Sequence, residues 1–138
     1  MSLRAPYIVL AVALGGAAGS VTRYVLSAAL QEHRATVFPT GTLVVNVSGC
    51  LAVGFLMRLI LDTGQFSPPV RALLITGFCG GFTTFSTFAW ETISALEDAA
   101  WWRAATYSIG SVILGLAAVW LGSAAAHGLV RVIRGEVA

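Results

Sequence analysis

The sequence has no lysine and little charge of either sign. All eight basic residues are arginines, six residues are acidic, and charged side chains make up only 10% of the chain, with a formal net charge of +2. Nucleic-acid-binding domains instead cluster many positive charges on one face, because they must neutralise phosphates. The charge content therefore gives no support to a nucleic-acid partner.

Cysteine and histidine are also scarce. Cys50 and Cys79 both fall in strongly apolar stretches, so neither a disulfide framework nor a Cys/His metal site is indicated. His33 lies in a predicted loop and His127 at the end of the last apolar stretch. No serine, histidine and acid are grouped as a nucleophile would require, so we predict that the protein is not an enzyme.

Apolar residues dominate what is present. They make up 57% of the 138 residues, with a mean hydropathy of +0.85, which is too apolar for a soluble domain of this size. A membrane span needs about 20 mostly apolar residues. Four windows meet this requirement, at about 6–30, 41–61, 70–96 and 101–127. We predict an all-α, multi-pass protein of the cell membrane, with one lipid-embedded domain over residues 1–138 and four transmembrane helices.

The distribution of arginine bears on orientation. Short predicted loops imply an up-and-down bundle, and an even number of spans puts both termini on the same side as the loop between spans two and three. Five arginines fall on that side and three on the other: Arg4, Arg58, Arg71, Arg131 and Arg134 against Arg23, Arg34 and Arg103. So small a bias is compatible with insertion in both orientations and with an antiparallel homodimer. One fixed orientation with the termini inside is the open alternative.

A few polar side chains interrupt the spans, and each needs a partner in hydrocarbon. Three groups recur at helical spacing, so that the members of each share a face: Thr42 with Asn46, Thr84 with Thr87 and Glu91, and Tyr107 with Ser111. Their hydroxyl and amide donors, with Ser86 and the positive ring edges of Phe85 and Phe88, can face a small anion. A lone hydroxyl can instead bond to a carbonyl of its own helix.

The segment GFCGGFTTFSTFAWE, residues 77–91, carries a glycine pair in the middle of the third span. Gly80 and Gly81 weaken the helix, and the adjacent Thr83 and Thr84 do not restore it. We therefore predict a break in the third helix. Carbonyls freed around 80–83 would suit a hard cation, while the amide end of the following half-helix favours an anion. A two-fold dimer would present four such carbonyls.

Four motifs stand out together: GFCGGFTTFSTFAWE at 77–91, PTGTLVVN at 39–46, the NVSG that overlaps it, and GGAAGSVTRY at 15–24. In these motifs, and over essentially all four spans, the chain resembles the Fluc family of fluoride channels. The resemblance implies a dual-topology homodimer with two antiparallel pores that export fluoride passively. It also implies a central, structural Na⁺ held by the backbone carbonyls of Gly80 and Thr83 from each subunit, an ion that is not transported.

The resemblance further implies a fluoride pathway. Asn46 matches the asparagine of span two, and Phe85 and Phe88 match the pore phenylalanines. The remaining pathway positions are Thr42, Ser86, Thr87, Glu91, Tyr107 and Ser111, with Arg23 at the mouth of an aqueous vestibule. One position departs from the pattern, because Gly115, four residues after Ser111, has no hydroxyl to continue the track.

A small proton-coupled multidrug exporter is the main alternative. Such exporters resemble one another in having four short spans and an essential carboxylate in the first. Span one of this chain has no acid, and the plausible intramembrane acid is Glu91 in span three. Cation export that depends on Glu91 would favour this alternative, and a helical assembly subunit without transport is a further one.

Overall fold

The computed structural model describes residues 5–32 and 38–135, and these are helical apart from short connections. The elements in chain order are α1 (Ala5–Glu32), α2 (Thr40–Thr63), α3 (Pro68–Arg71), a π-helical segment (Ala72–Cys79), α4 (Gly80–Phe82), α5 (Phe85–Glu97) and α6 (Trp101–Ile133). Arg4, His33 and Arg34, which entered the sequence analysis, lie outside the described residues.

Among the described residues, four helical stretches are long and apolar enough to cross a membrane: Pro6–Leu30, Thr40–Thr63, Pro68–Glu97 and Trp101–Ile133. Over this part of the chain the prediction of an all-helical protein with four such helices is confirmed. The last helix continues past the predicted end at 127, because no proline or glycine turn stops it before Gly135, whose φ is +70°. Arg131 lies in its last turn, where the helix dipole favours positive charge.

Helices α2 and α6 pack with their backbones in close approach. A Cβ atom added at Gly54 would overlap the carbonyl oxygen of Val119, and one added at Gly122 would overlap that of Leu51. Small residues at these positions allow the helices to touch without side chains between them. Contacts at Gly54 and Gly122 thus fix the position of α6 against α2.

Glycines also allow the backbone of α1 to pack closely against that of the third span. A Cβ at Gly19 would overlap the carbonyl oxygen of Phe78, and one at Gly81 would lie 2.6 Å from that of Gly16. Gly81 is therefore required by packing on α1. Gly80 has right-handed helical torsions and is exposed, and a Cβ added there would meet no described atom outside its own turn closer than Ile75 O at 3.8 Å.

A tight turn joins α5 to α6. The N–H of Ala100 donates to Ala95 O at 2.9 Å and the N–H of Ala99 to Leu96 O at 3.0 Å, the two bonds of a Schellman motif. Ala99 occupies the left-handed position, with φ at +56°. The turn brings Asp98 next to the first turn of α6.

Few side chains are fully buried in one chain. The largest are Tyr107, Val45 and Cys79, whereas Trp120 and Phe85 are 70% and 79% exposed. Both cysteines are free, and Cys50 is only half-buried. So much exposed apolar surface is expected for a protein whose outer faces meet lipid or another membrane-embedded chain.

Candidate functional site

The backbone of the third span leaves the helical conformation for two residues. Thr83 and Thr84 have extended torsions, with φ/ψ of −80°/158° and −148°/113°, between α4 and α5. Thr83 N–H still donates to Cys79 O at 3.0 Å. Because these residues lie at membrane depth, their other backbone groups need partners from the protein.

Asn46 on α2 supplies two of those partners. Its Oδ1 accepts from the Thr84 N–H at 2.8 Å and its Nδ2 donates to Thr84 O at 3.0 Å. The paired bonds resemble those between two β-strands, and they fix which way the amide points, because only one orientation satisfies both. The sequence placed Asn46 on the pathway but did not indicate that its amide would hold the backbone.

Thr84 also caps the start of α5. Its Oγ1 accepts from the N–H of Thr87 at 3.2 Å and donates to Thr87 Oγ1 at 2.9 Å, with Ser86 Oγ at 3.4 Å. A threonine at this position satisfies an amide that has no partner within the helix. The hydroxyls of three predicted polar residues are thus gathered at the amino end of α5.

These contacts release two carbonyls. In a continuous helix the N–H of Thr84 would donate to Gly80 O, and that of Thr87 to Thr83 O. Thr84 N–H instead bonds to Asn46, and Thr87 N–H to the Thr84 hydroxyl. The two carbonyls named in the sequence analysis as cation ligands are thus among those whose helical donors are engaged elsewhere.

A second polar cluster surrounds Glu91. Its Oε1 accepts from Thr42 Oγ1 at 2.8 Å and its Oε2 from the Tyr107 hydroxyl at 2.6 Å, which joins α5 to α2 and α6. Thr42 is 6% exposed and Tyr107 1%. The hydroxyl protons of both residues point to the carboxylate, so either must turn away from Glu91 to face another anion.

Aromatic rings continue from this cluster. The centroid of Phe88 lies 5.2 Å from that of Tyr107 and 5.7 Å from that of Phe85, with tilted planes in both pairs. One turn beyond Tyr107, Ser111 Oγ is buried and has no hydrogen-bond partner among the described residues. Its hydroxyl is therefore free to donate to a ligand.

Three cavities open beside these groups. The Arg23 cavity, about 580 Å³, is lined in part by Ser20, Arg23, Thr42, Thr84, Thr87 and Glu91. The Arg103 cavity, about 290 Å³, is lined in part by Trp90, Glu91, Ser94, Asp98, Arg103 and Tyr107. The Phe85 cavity, about 260 Å³, is lined in part by Asn46, Cys50, Thr83, Thr84 and Phe85. Glu91 and Thr84 each belong to two of these walls.

Arg23 lies on α1 and reaches toward the extended residues. Its Nη1 donates to Thr83 O at 3.4 Å, and Ser20 Oγ, one turn earlier, donates to Gly81 O at the same distance. Both are long for hydrogen bonds. They place one positive charge and one hydroxyl in the wall of the Arg23 cavity.

The structure brings together most of the residues that the sequence indicated. Thr42, Glu91 and Tyr107 form one contact group, while Asn46, Thr84 and Thr87 form another. The sequence analysis did not single out the ion pair between Asp98 and Arg103, whose Oδ2 and Nη2 are 2.9 Å apart in the Arg103 cavity. The sequence pattern that could have indicated this pair was weak, because Asp98 and Arg103 are five residues apart across a predicted loop.

Four transmembrane helices around buried polar clusters define a small multi-pass membrane protein of the ion-channel or transporter class. The family model described as CrcB-like protein, Camphor Resistance (CrcB), matches residues 10–123, and the chain belongs to this family. The assignment to a multi-pass membrane protein is thus supported by both the helices and the family.

Curated relatives are similar over most of their length. The protein named fluoride-specific ion channel FluC of Solibacter usitatus is 47% identical over 83% of this chain and 93% of its own. Those of Opitutus terrae and Aquifex aeolicus, with the same name, are 47% and 44% identical, over 86% and 83% of this chain and 91% and 93% of their own. These relatives are named as channels, not as enzymes, in agreement with the prediction from the sequence.

Proposed function

We propose that the chain forms a channel through which fluoride crosses the membrane passively. The identity of 44–47% with proteins named fluoride-specific ion channels carries the proposal. The polar clusters support it, because they supply neutral donors at membrane depth. A small, strongly hydrated anion needs such donors to replace its water, and weakly binding ones let it leave again.

Arg23 acts first in this proposal. Its guanidinium lies in the wall of the largest of the three cavities, beside the hydroxyls of Ser20 and Thr87. A fixed positive charge in a cavity with low-dielectric walls raises the local concentration of anions. Beyond the cavity, no arginine lies among the pathway residues, so the anion meets neutral donors.

The Glu91 cluster and the rings then line the route. Glu91 holds the hydroxyls of Thr42 and Tyr107 in place, and each hydroxyl can exchange its bond to the carboxylate for a bond to the passing anion. Phe85 and Phe88 offer positive ring edges, and the free hydroxyl of Ser111 offers a donor one turn along α6. These contacts are individually weak, so the anion can move through the channel without being bound tightly at one position.

An antiparallel homodimer completes the proposed channel. Phe85 is 79% exposed in one chain, and Gly80 is also exposed, although both adjoin the polar part of the third span. Exposure of the extended backbone to lipid would leave its polar groups without partners. A second copy of the chain packed against this face would shield them from lipid. The nearly even distribution of arginines is compatible with insertion in both orientations.

A Na⁺ ion at the centre of this dimer fits the residues. The carbonyls of Gly80 and Thr83 have lost their helical donors, and two copies would present four neutral oxygens, as suits a monovalent hard cation. Thr83 O also accepts a long bond from Arg23, but a carbonyl has two acceptor positions. When bound, the ion would supply positive charge that holds the two interrupted helices together.

Efflux from liposomes tests the function. Purified protein should release fluoride from KF-loaded vesicles much faster than chloride from KCl-loaded ones, with a K⁺ ionophore present so that K⁺ movement balances the charge. Equal rates for the two anions, or fluoride release no faster than from protein-free vesicles, would contradict the proposal. Proton-driven export of an organic cation that is lost in Glu91→Gln would favour the exporter instead.

A further inference from the structure

The Arg103 cavity contains an ion pair that the pathway described above does not use. Arg103 Nη2 and Asp98 Oδ2 are 2.9 Å apart, with side chains 22% and 69% exposed. Glu91 and Tyr107 line the same cavity. The pair therefore stands in the wall of a space that reaches the Glu91 cluster from a different side than Arg23 does.

Local structure holds the two side chains together. Asp98 caps the end of α5, where its N–H donates to Ser94 O at 3.0 Å, and Arg103 is the third residue of α6. A positive side chain in the first turn of a helix is disfavoured by the dipole, and a carboxylate there is favoured. The carboxylate of Asp98 thus offsets the charge of Arg103 at this position.

We propose that the Asp98–Arg103 pair sets the concentration of anions in the Arg103 cavity and thereby their rate of entry at this mouth. This inference rests on the proposed fluoride pathway. The cavity wall has two carboxyl groups, those of Glu91 and Asp98, and one guanidinium, that of Arg103. Asp98 therefore weakens the attraction of Arg103 for anions. Removal of the Asp98 charge should strengthen that attraction.

The expected effect is modest and depends on salt. A unit charge about 7 Å from an anion in water contributes about one RT before screening, a change of about two- to threefold in local anion concentration. The screening length is about 30 Å at 0.01 M salt and about 3 Å at 1 M. The effect should therefore be present in dilute salt and absent in concentrated salt.

The first experiment measures initial fluoride efflux from liposomes at 0.01 M and 1 M ionic strength. Asp98→Asn should raise the rate about twofold in dilute salt and leave it unchanged in concentrated salt, and Arg103→Gln should lower it by a similar factor. The double variant should return near the wild-type rate. Identical rates in all variants at low salt would overturn the proposal.

Glu97→Gln is the matched control. Glu97 is exposed, lies next to Asp98 and loses the same charge, but it is not part of the wall of the Arg103 cavity. Its rate should stay within experimental error of the wild type at both salt concentrations. If Glu97→Gln accelerates efflux as much as Asp98→Asn does, the effect comes from general surface charge and the proposal is wrong.

A second measurement does not depend on conduction. Trp90 lines the Arg103 cavity and would be the single tryptophan after Trp101, Trp102 and Trp120 are replaced by phenylalanine. In dilute salt, Asp98→Asn should increase the quenching of Trp90 by iodide about twofold relative to quenching by neutral acrylamide. An unchanged ratio would overturn the proposal. A raised ratio in a protein without fluoride flux would support the effect of the pair on local anion concentration and refute the proposed function.

Discussion

Asn46 on α2 hydrogen-bonds through its side-chain amide to both backbone polar groups of Thr84 in the third span, at 2.8 and 3.0 Å. The two bonds hold an extended residue at a depth where water is scarce. They also divert the N–H that would otherwise close onto Gly80. One asparagine therefore determines the backbone conformation and frees a carbonyl.

Asn46→Ala should consequently impair stability as well as flux. It leaves a buried N–H and C=O without partners, each of which costs about 1–3 kcal/mol. We expect a clear fall in the detergent melting temperature and a loss of most fluoride efflux. Ser48→Ala is the control, because that hydroxyl bonds to the Val44 carbonyl of its own helix. Wild-type melting and flux in Asn46→Ala would contradict this role.

Tyr107→Phe should separate the hydroxyl from the ring. The ring contact with Phe88 is kept, but the 2.6 Å bond to Glu91 is lost. In passage the hydroxyl would donate to the fluoride ion, and a hydrogen bond to a charged group contributes about 1.5–3 kcal/mol. Loss of that bond should lower efflux at least about tenfold. Tyr7→Phe, at a 68% exposed position, should have no effect. Unchanged efflux in Tyr107→Phe would remove the hydroxyl from the pathway.

The two glycines of the third span should respond differently to alanine. At Gly81 the new Cβ would lie 2.6 Å from Gly16 O, so α1 must shift, at a cost of about 1–3 kcal/mol. At Gly80 the nearest described atom outside its own helical turn is Ile75 O, at 3.8 Å. Gly80→Ala should therefore leave the fold of the chain intact and weaken only the proposed dimer.

Melting temperature and chemical cross-linking of the purified proteins distinguish the two glycine variants. Gly81→Ala should melt earlier, whereas Gly80→Ala should show fewer cross-linked dimers at an unchanged melting temperature. A fully dimeric, active Gly80→Ala would place the interface elsewhere.

If the proposed Na⁺ site is correct, removal of Na⁺ should abolish fluoride flux even when no Na⁺ moves across the membrane. The expected ligands are backbone carbonyls, so Thr83→Ser should have a mild effect. Efflux is compared in Na⁺-containing and exhaustively Na⁺-free buffers, with an organic cation in its place. Equal efflux in both buffers would refute the cation site and leave the anion pathway standing.

Ala99→Gly should stabilise the protein. Ala99 has φ at +56°, a conformation that costs an L-residue about 1–2 kcal/mol and glycine almost nothing. Glycine also has greater conformational freedom in the unfolded chain, which offsets part of this effect. The net increase in the free energy of unfolding should be up to about 1 kcal/mol. A lower melting temperature for Ala99→Gly would show that the strain is relieved in another way.

The sequence predicted the four helices because their apolar runs are long and their ends are marked by proline, glycine or charge. It also brought out Thr42, Asn46, Glu91 and Tyr107, because polar residues in such runs stand out and helical spacing shows which of them share a face. The prediction of the helices and that of the polar site residues both depend on local patterns. Neither requires knowledge of which helices are in contact.

Contacts between helices were the part that local patterns could not give. The glycine pair was interpreted as the place where the helix opens, but Gly81 is required by its contact with α1, and the extended residues are Thr83 and Thr84. The engagement of Asn46 with a backbone 38 residues away likewise depends on packing. So does the position of Asp98 beside Arg103, which a left-handed alanine makes possible.

The glycine contacts of α1 and of α2 with α6 have a consequence for how an ion could move. Where backbone lies directly on backbone, no layer of flexible side chains is left to rearrange, and a single added methyl group would overlap the neighbouring helix. Such a frame does not suit a carrier that opens to each side in turn. It suits a fixed passage, in which the ion and its water do the moving and warming accelerates flow only about as much as it accelerates diffusion.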